Sequence, residues 1–367
     1  MFKIDFDKYD YTLIAVICIC IIFGSFMVFS SSAVIAYVKW ASPYKFFFKQ
    51  ILWVVIGFAV MFATSFLIDY KFYKKYAKKI YFLSLLLVIA VLFIGVSRLG
   101  AKRWFLVGFL TIQPSELAKF AVVIALADFI SRKKELIKEW QGLVAPTAIV
   151  FLILLPIVIE PDLGTPILIV GTCFAMLFCA GIKIKAVLAL VATVFLLTAE
   201  EIIRKPYRLV RFKDYLASFV NIDASPYQIK QSLNALGSGG IFGKGLGKSE
   251  MKLMYLPEAH TDFIFPVIGE ELGFIGVTAV TAFFIYLFLK GVKMSKHMPD
   301  TFSEYLCLGI TFLIVFQAII NLSVATGVFP TKGLPLPFIS FGGTSLVITM
   351  ATAGILINLS QYTKKQN

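Results

Sequence analysis

Long apolar runs separated by short polar stretches recur along the whole chain, at approximately 11–29, 46–68, 80–97, 114–130, 143–159, 164–181, 186–203, 264–290, 304–326 and 338–360. Apolar residues occupy all sides of these runs, which is the pattern of helices surrounded by lipid or by other helices. About 20 residues in a helix cross a hydrocarbon core of about 30 Å. The pattern therefore predicts an all-α polytopic membrane protein with about ten transmembrane helices. An even number of spans places both termini on one side. The connection 204–262 is too polar to cross, and it is expected as a large loop between helices 7 and 8 of a single transmembrane domain covering 1–367. No internal repeat is evident.

Composition agrees. Of 367 residues, 59% are hydrophobic and only 15% charged, with a mean hydropathy of +0.87, which excludes an ordinary soluble domain. The net charge of +14 then needs a source. With cytoplasmic termini, the short inner segments hold 18 Lys and Arg, among them those of DYKFYKKYAKK and SRKKELIKEW, whereas the short outer loops hold 7. That bias orients the chain, and the long loop 204–262, with its nine basic residues, faces outward. Much of the charge thus reports topology, and no nucleic-acid partner is implied. MFKIDFDKYD mixes acids with bases ahead of an apolar run long enough to remain as a span, so no signal peptide is expected. The five cysteines fall inside or near spans, and neither a disulfide framework nor a zinc spacing is predicted.

The remaining polar groups collect on the outer side. In QPSELAK, Pro114 suits a first helical turn, and Glu116 and Lys119 follow three apart on one face. Lys119 would then lie inside the membrane, where an ionisable group is either paired with a snorkelling end or functional. EPDLGTP adds Glu160 and Asp162 in a turn between two spans. SRLGAKRWFLVG supplies Lys102, Arg103 and Trp104, suited to an interfacial anchor or to gripping a phosphate and stacking on a sugar. GSGGIFGKGLGKS fails as a phosphate-binding loop, because Phe242 stands where that pattern needs glycine. LPEAHTDFIF sets Glu258, His260 and Asp262 directly before an apolar run. VFPTKGLPLPFISFGGTSL, with Lys332, places prolines and glycines before the last span, and irregular backbone at that depth is tolerated where it lines a cavity. An outward cavity with acids, bases and an aromatic suits a lipid with a charged, sugar-bearing head.

The ordered set GAKRWF, QPSELAK, EPDLGT, LPEAHTDFIF with GEELGF, and PTKGLPLPFISFGG resembles the SEDS family (shape, elongation, division and sporulation) from about residue 98 to 346. The LPEAHTD and PTKGLPLPF forms are more similar to its cell-division branch than to its elongation branch. Pro266 and Phe341 depart from the family's usual Ala and Tyr. The resemblance implies a peptidoglycan glycosyltransferase that polymerises lipid II into β-1,4 glycan strands at the outer face of the plasma membrane. It assigns Asp262 as catalytic. Lys102, Arg103 and Lys119 become candidates for the leaving-group charge, and Trp104, Glu116, Asp162, Glu258, His260 and Lys332 complete the substrate-binding set.

Implied partners are lipid II, the lipid-linked glycan strand, a class B penicillin-binding transpeptidase and other division membrane proteins. No cofactor is certain. If LPEAHTD is extended, Glu258, His260 and Asp262 share a face and form a candidate site for a divalent cation such as Mg or Mn; otherwise Glu258 and His260 merely orient Asp262. A lipid II flippase is the alternative function, since a transporter would use the same cavity.

Overall fold

A computed structural model describes residues 6–98, 101–108, 110–137, 140–160, 164–183, 215 and 225–363. The chain begins with α1 (Tyr11–Trp40), started by the Asp10 side chain accepting from Leu13 N and stopped by Ala41 in the left-handed region. α2 (Lys45–Phe62) runs on into one π-helical turn, Ala63–Leu67. α3 (Tyr70–Ile94) is capped by Asp69, whose carboxylate accepts from Lys71 N at 2.8 Å. This helix starts ten residues before the expected span at 80, because hydropathy marks only the embedded part and the cap sets the true start.

The region 97–108, expected as a loop, is instead part of a small antiparallel sheet. β1 (Val96–Arg98), β2 (Ala101–Val107) and β3 (Leu110–Ile112) pair in that order, with Val96 opposite Trp104 and Phe105 opposite Ile112. The fold is therefore helical with one sheet at a loop. Strands this short disappear in a window wide enough to find spans.

α4 (Pro114–Ile137) lies between α3, α6 (Gly164–Cys179) and α9 (Thr301–Ala325). Nearly every side chain from Ser115 to Ile130 is buried, so this helix carries Glu116, Lys119 and Asp128 without showing them to lipid. α5 (Val144–Ile159) and α6 (Gly164–Cys179) are shorter and apolar. The expected span 186–203 falls outside the described residues. α7 (Tyr227–Ser238) buries Ile229, Ser232 and Ala235 and packs on α8 (Ile264–Ser295). α9 (Thr301–Ala325) opens on a capping box of Asp300 and Ser303, and α10 (Gly343–Ser360) packs along α2. Its start, five residues after the expected 338, follows from the irregular PTKGLPLPFISFGG segment.

Among the described residues, six helices are long and apolar enough to cross a membrane, namely α1, α2 with its π turn, α3, α8, α9 and α10. Side-chain bonds bring the sheet, the starts of α4, α8 and α10 and the ends of α5 and α9 to one end of the bundle. Two bonds fasten that end: Gln113 N donates to Thr344 Oγ1 at 3.2 Å, and Thr344 Oγ1 donates to the Thr111 carbonyl at 2.8 Å.

Candidate functional site

LPEAHTD is a run of turns, and this corrects the expected extended face. Thr261 N and Phe263 N both donate to the Glu258 carbonyl at 3.1 Å, and Glu258 itself sits at φ 56°, a conformation non-glycine residues adopt rarely. Period-two geometry is lost, so the three polar side chains part company. Glu258 is exposed and accepts from Thr261 Oγ1 at 2.8 Å. His260 is buried between Phe46 and Phe341, with ring centroids 4.5 and 5.8 Å away. Burial holds its imidazole below the usual value; the Glu258 charge opposes this and Lys39 adds to it. The neutral ring is thus favoured as a packing group. Among the described residues no three His, Cys, Asp or Glu side chains stand together as metal ligands. The trio does not fit a protein-held divalent cation.

Asp262 remains half-buried, and its backbone is unusually well held. Three successive carbonyls are anchored: His260 O accepts from Phe341 N at 2.9 Å, Thr261 O from Ser340 Oγ at 2.6 Å, and Asp262 O from Asn321 Nδ2 at 2.8 Å. Asn321 Nδ2 also donates to the Leu334 carbonyl at 2.8 Å. One turn earlier on α9, Gln317 Nε2 donates to Pro335 O at 2.8 Å while its Oε1 accepts from Lys119 Nζ at 2.9 Å. Lys119 Nζ lies 2.7 Å from Glu116 Oε2, with both side chains almost wholly buried. A polar chain therefore runs from α4 through α9 to the PTKGLPLPF segment and to Asp262. Sequence reasoning missed Gln317, Asn321 and Ser340, although two amides four apart inside an apolar helix are a readable signal.

The PTKGLP segment faces the Asp262 carboxylate through Gly333. A Cβ built on Gly333 would stand 3.1 Å from Asp262 Oδ2, so only glycine allows this approach without displacement. Lys332 precedes it directly, half-buried. With Asp262 as the reacting carboxylate expected from the resemblance, Gly333→Ala should leave the protein folded yet lower its catalytic rate by about 10-fold or more, because misplacement of a reacting group is costly. Rate against folded amount is the measurement, and an unchanged rate would mean the carboxylate position is not critical.

The basic residues separate as strand neighbours must. Lys102 is exposed and Trp104 half-buried, whereas Arg103 Nε donates to the Glu160 carbonyl at 2.7 Å and ties β2 to the end of α5. Glu160 is buried. Asp162 lies outside the described residues.

A second cluster was missed although its motif was visible. In GEELGF, Glu270 and Glu271 are both fully buried. Glu270 takes Lys244 Nζ at 2.9 Å and Ser249 Oγ at 2.5 Å, plus Glu250 N at 3.1 Å. Glu271 takes Lys252 Nζ and Ser30 Oγ, each at 2.7 Å. Two residues later Gly273, at φ 67° and ψ −158°, breaks α8. There Phe274 N and Ile275 N donate to Gly240 O and Ile241 O at 2.9 and 3.3 Å, while Glu270 O and Glu271 O accept from Lys244 N and Gly245 N at 2.9 and 3.0 Å. The glycine-rich loop is spliced into the helix ladder. The half-helix carrying Asp262 at its head is thereby welded to residues 240–252.

The geometry defines a polytopic membrane protein in which a polar chain runs from the buried Glu116–Lys119 pair to one anchored aspartate at one end of a helix bundle. Residues 10–365 match the FTSW_RODA_SPOVE family of cell cycle proteins, and the chain belongs to that family. It is 38% identical over 363 residues to the Probable peptidoglycan glycosyltransferase FtsW of Geobacter metallireducens, covering 98% of this chain and 96% of that protein. It is 37% identical to the Stage V sporulation protein E of Bacillus subtilis, covering 97% and 98%. Among solved structures it is similar to a chain from a peptidoglycan synthase complex that coordinates polymerization and crosslinking, with a TM-score of 0.78 and 26% identity over 96% of this chain and 97% of that one. The Rod shape determining protein RodA of Thermus thermophilus gives a TM-score of 0.72 and 25% identity, over 96% of both chains.

Proposed function

We propose that this protein is an inverting peptidoglycan glycosyltransferase that polymerises lipid II at the outer face of the plasma membrane during cell division. The observation that carries it is the half-buried Asp262, whose peptide carbonyl and the two before it are pinned by Phe341, Ser340 and Asn321. The names of the relatives support the same reaction.

Polymerisation requires the C4 hydroxyl of an acceptor sugar to attack C1 of a lipid-linked donor. The C1–O bond to the pyrophosphate breaks, the configuration inverts, and the hydroxyl proton leaves. Asp262 is the base that takes this proton. The departing pyrophosphate needs cations nearby. Lys102 on β2 and Lys332 beside Gly333 are the candidates, with Arg103 tethered to the end of α5 and Trp104 offering a face to a sugar. Lys119 is enclosed by Glu116 and Gln317, so it acts as a positioning residue through α9. A class B penicillin-binding transpeptidase is the partner that would cross-link the product.

The direct test is purified protein given lipid II that is already accessible. Glycan chains should form, and movement of lipid II across vesicles without polymer would favour a flippase instead.

Orientation has its own test. A cysteine replacing exposed Glu250 should react with an impermeant maleimide from outside, and one replacing Tyr76 in the lysine-rich start of α3 should not. The motivation is the basic bias of the short loops. The reverse pattern would place the site on the wrong face for this reaction.

A further inference from the structure

The loop spliced into α8 ends in an apolar tip that the reaction does not use. Ile241 is 63% exposed, Phe242 79% and Leu246 68%. Large side chains this open on a loop need a covering phase. The splice shows what lies beside them. Ile241 O accepts from Ile275 N, and Gly240 O accepts from Phe274 N, so the tip adjoins Phe274 and Ile275, themselves 66% and 54% exposed. Those two open the regular part of α8, Phe274–Ser295, which is roughly 33 Å long at 1.5 Å per residue. That matches a hydrocarbon core of about 30 Å. With that segment as the crossing part, the break at Gly273 would stand at a bilayer edge and the tip at the same level.

We propose that Ile241, Phe242 and Leu246 insert into the lipid layer beside α8, as a membrane anchor for the loop. Three features favour lipid over another protein. The tip is continuous with the lipid-facing surface of a span, so the same phase covers both. Exposed Lys248 lies two residues from Leu246, where an ammonium meets lipid phosphates. Four bonds of the splice, with the Lys244–Glu270 and Lys252–Glu271 pairs, hold the loop in shape, so little ordering is required on insertion. The close approach also depends on glycine: a Cβ on Gly243 would stand 2.2 Å from the Glu271 carbonyl oxygen, and one on Gly273 would stand 2.3 Å from Gly243 N. The anchor fixes the depth of the half-helix 264–272 that follows Asp262.

Benzoylphenylalanine placed singly at Phe242, Leu246 or Glu250 in the full-length protein tests this directly. The proteins are reconstituted in vesicles of phosphatidylethanolamine and phosphatidylglycerol, irradiated, and their peptides weighed by mass spectrometry. Lipid acyl adducts should form at 242 and 246 and be several-fold fewer at exposed Glu250, a charged residue paired with Lys244 at 3.5 Å. Equal labelling at all three positions, or no lipid adducts at 242, would overturn the proposal. Repeating the experiment with a co-purified transpeptidase adds a second arm: protein adducts replacing lipid adducts at 242 would make the tip a protein interface instead. The readout is covalent mass, so it is independent of whether the protein polymerises lipid II.

Discussion

Asp262→Asn should lower glycan polymerisation by about 10²-fold or more while the protein stays folded and still binds lipid II. The amide keeps the size of the carboxylate but cannot take the proton from the acceptor hydroxyl. The anchoring bonds explain why folding should survive. Asn321, Ser340 and Phe341 hold the peptide carbonyls of 260–262, and the substitution leaves those carbonyls in place. Polymer yield against folded amount, with lipid II binding measured separately, gives the answer. Robust polymer from Asp262→Asn would remove this residue from the chemistry. Loss of binding with the rate per bound complex preserved would reassign it to substrate recognition.

Lys119→Met should destabilise the protein by about 3–5 kcal/mol, the cost of leaving a buried partner charge uncompensated. Glu116 and Lys119 are both nearly sealed from solvent, 2.7 Å apart, and the Gln317 carbonyl oxygen would also lose its donor. Thermal unfolding in detergent measures the loss. Pairing the substitution with Glu116→Gln should recover much of it, because no isolated charge is then buried. A different pattern would contradict the positioning role. If Lys119→Met folds normally and loses only substrate affinity, Lys119 contacts the pyrophosphate and the burial is relieved when substrate enters.

Both predictions turn on particular residues that the chain announced to different degrees. Asp262 stood out as an acid at the edge of an apolar run, and Lys119 as a lysine inside one. Neither position revealed what touches it. The partners of Lys119 come from 3 and 198 residues away, and only the first is a matter of helix spacing. Glu258 and His260 show the opposite failure. Their alternation with Asp262 suggested a shared face, but the left-handed backbone at Glu258 turns the chain, and Phe46 and Phe341 claim His260. The strands at 96–112 were missed because they are too short for hydropathy to register.

The amino-acid pattern by itself determined the class of protein, most of its helices and the end of the bundle where chemistry gathers. Those follow from the cost of unsatisfied backbone and bare charge in lipid, which acts on each segment separately. Tertiary structure decided which polar groups meet. α4 can carry Glu116, Lys119 and Asp128 only because α3, α6 and α9 cover it. Glu270 and Glu271 can be buried only because Lys244 and Lys252 arrive on a loop spliced into the break at Gly273. Such pairings depend on contacts between distant segments, and their energy comes from shared desolvation, which no local window of sequence contains.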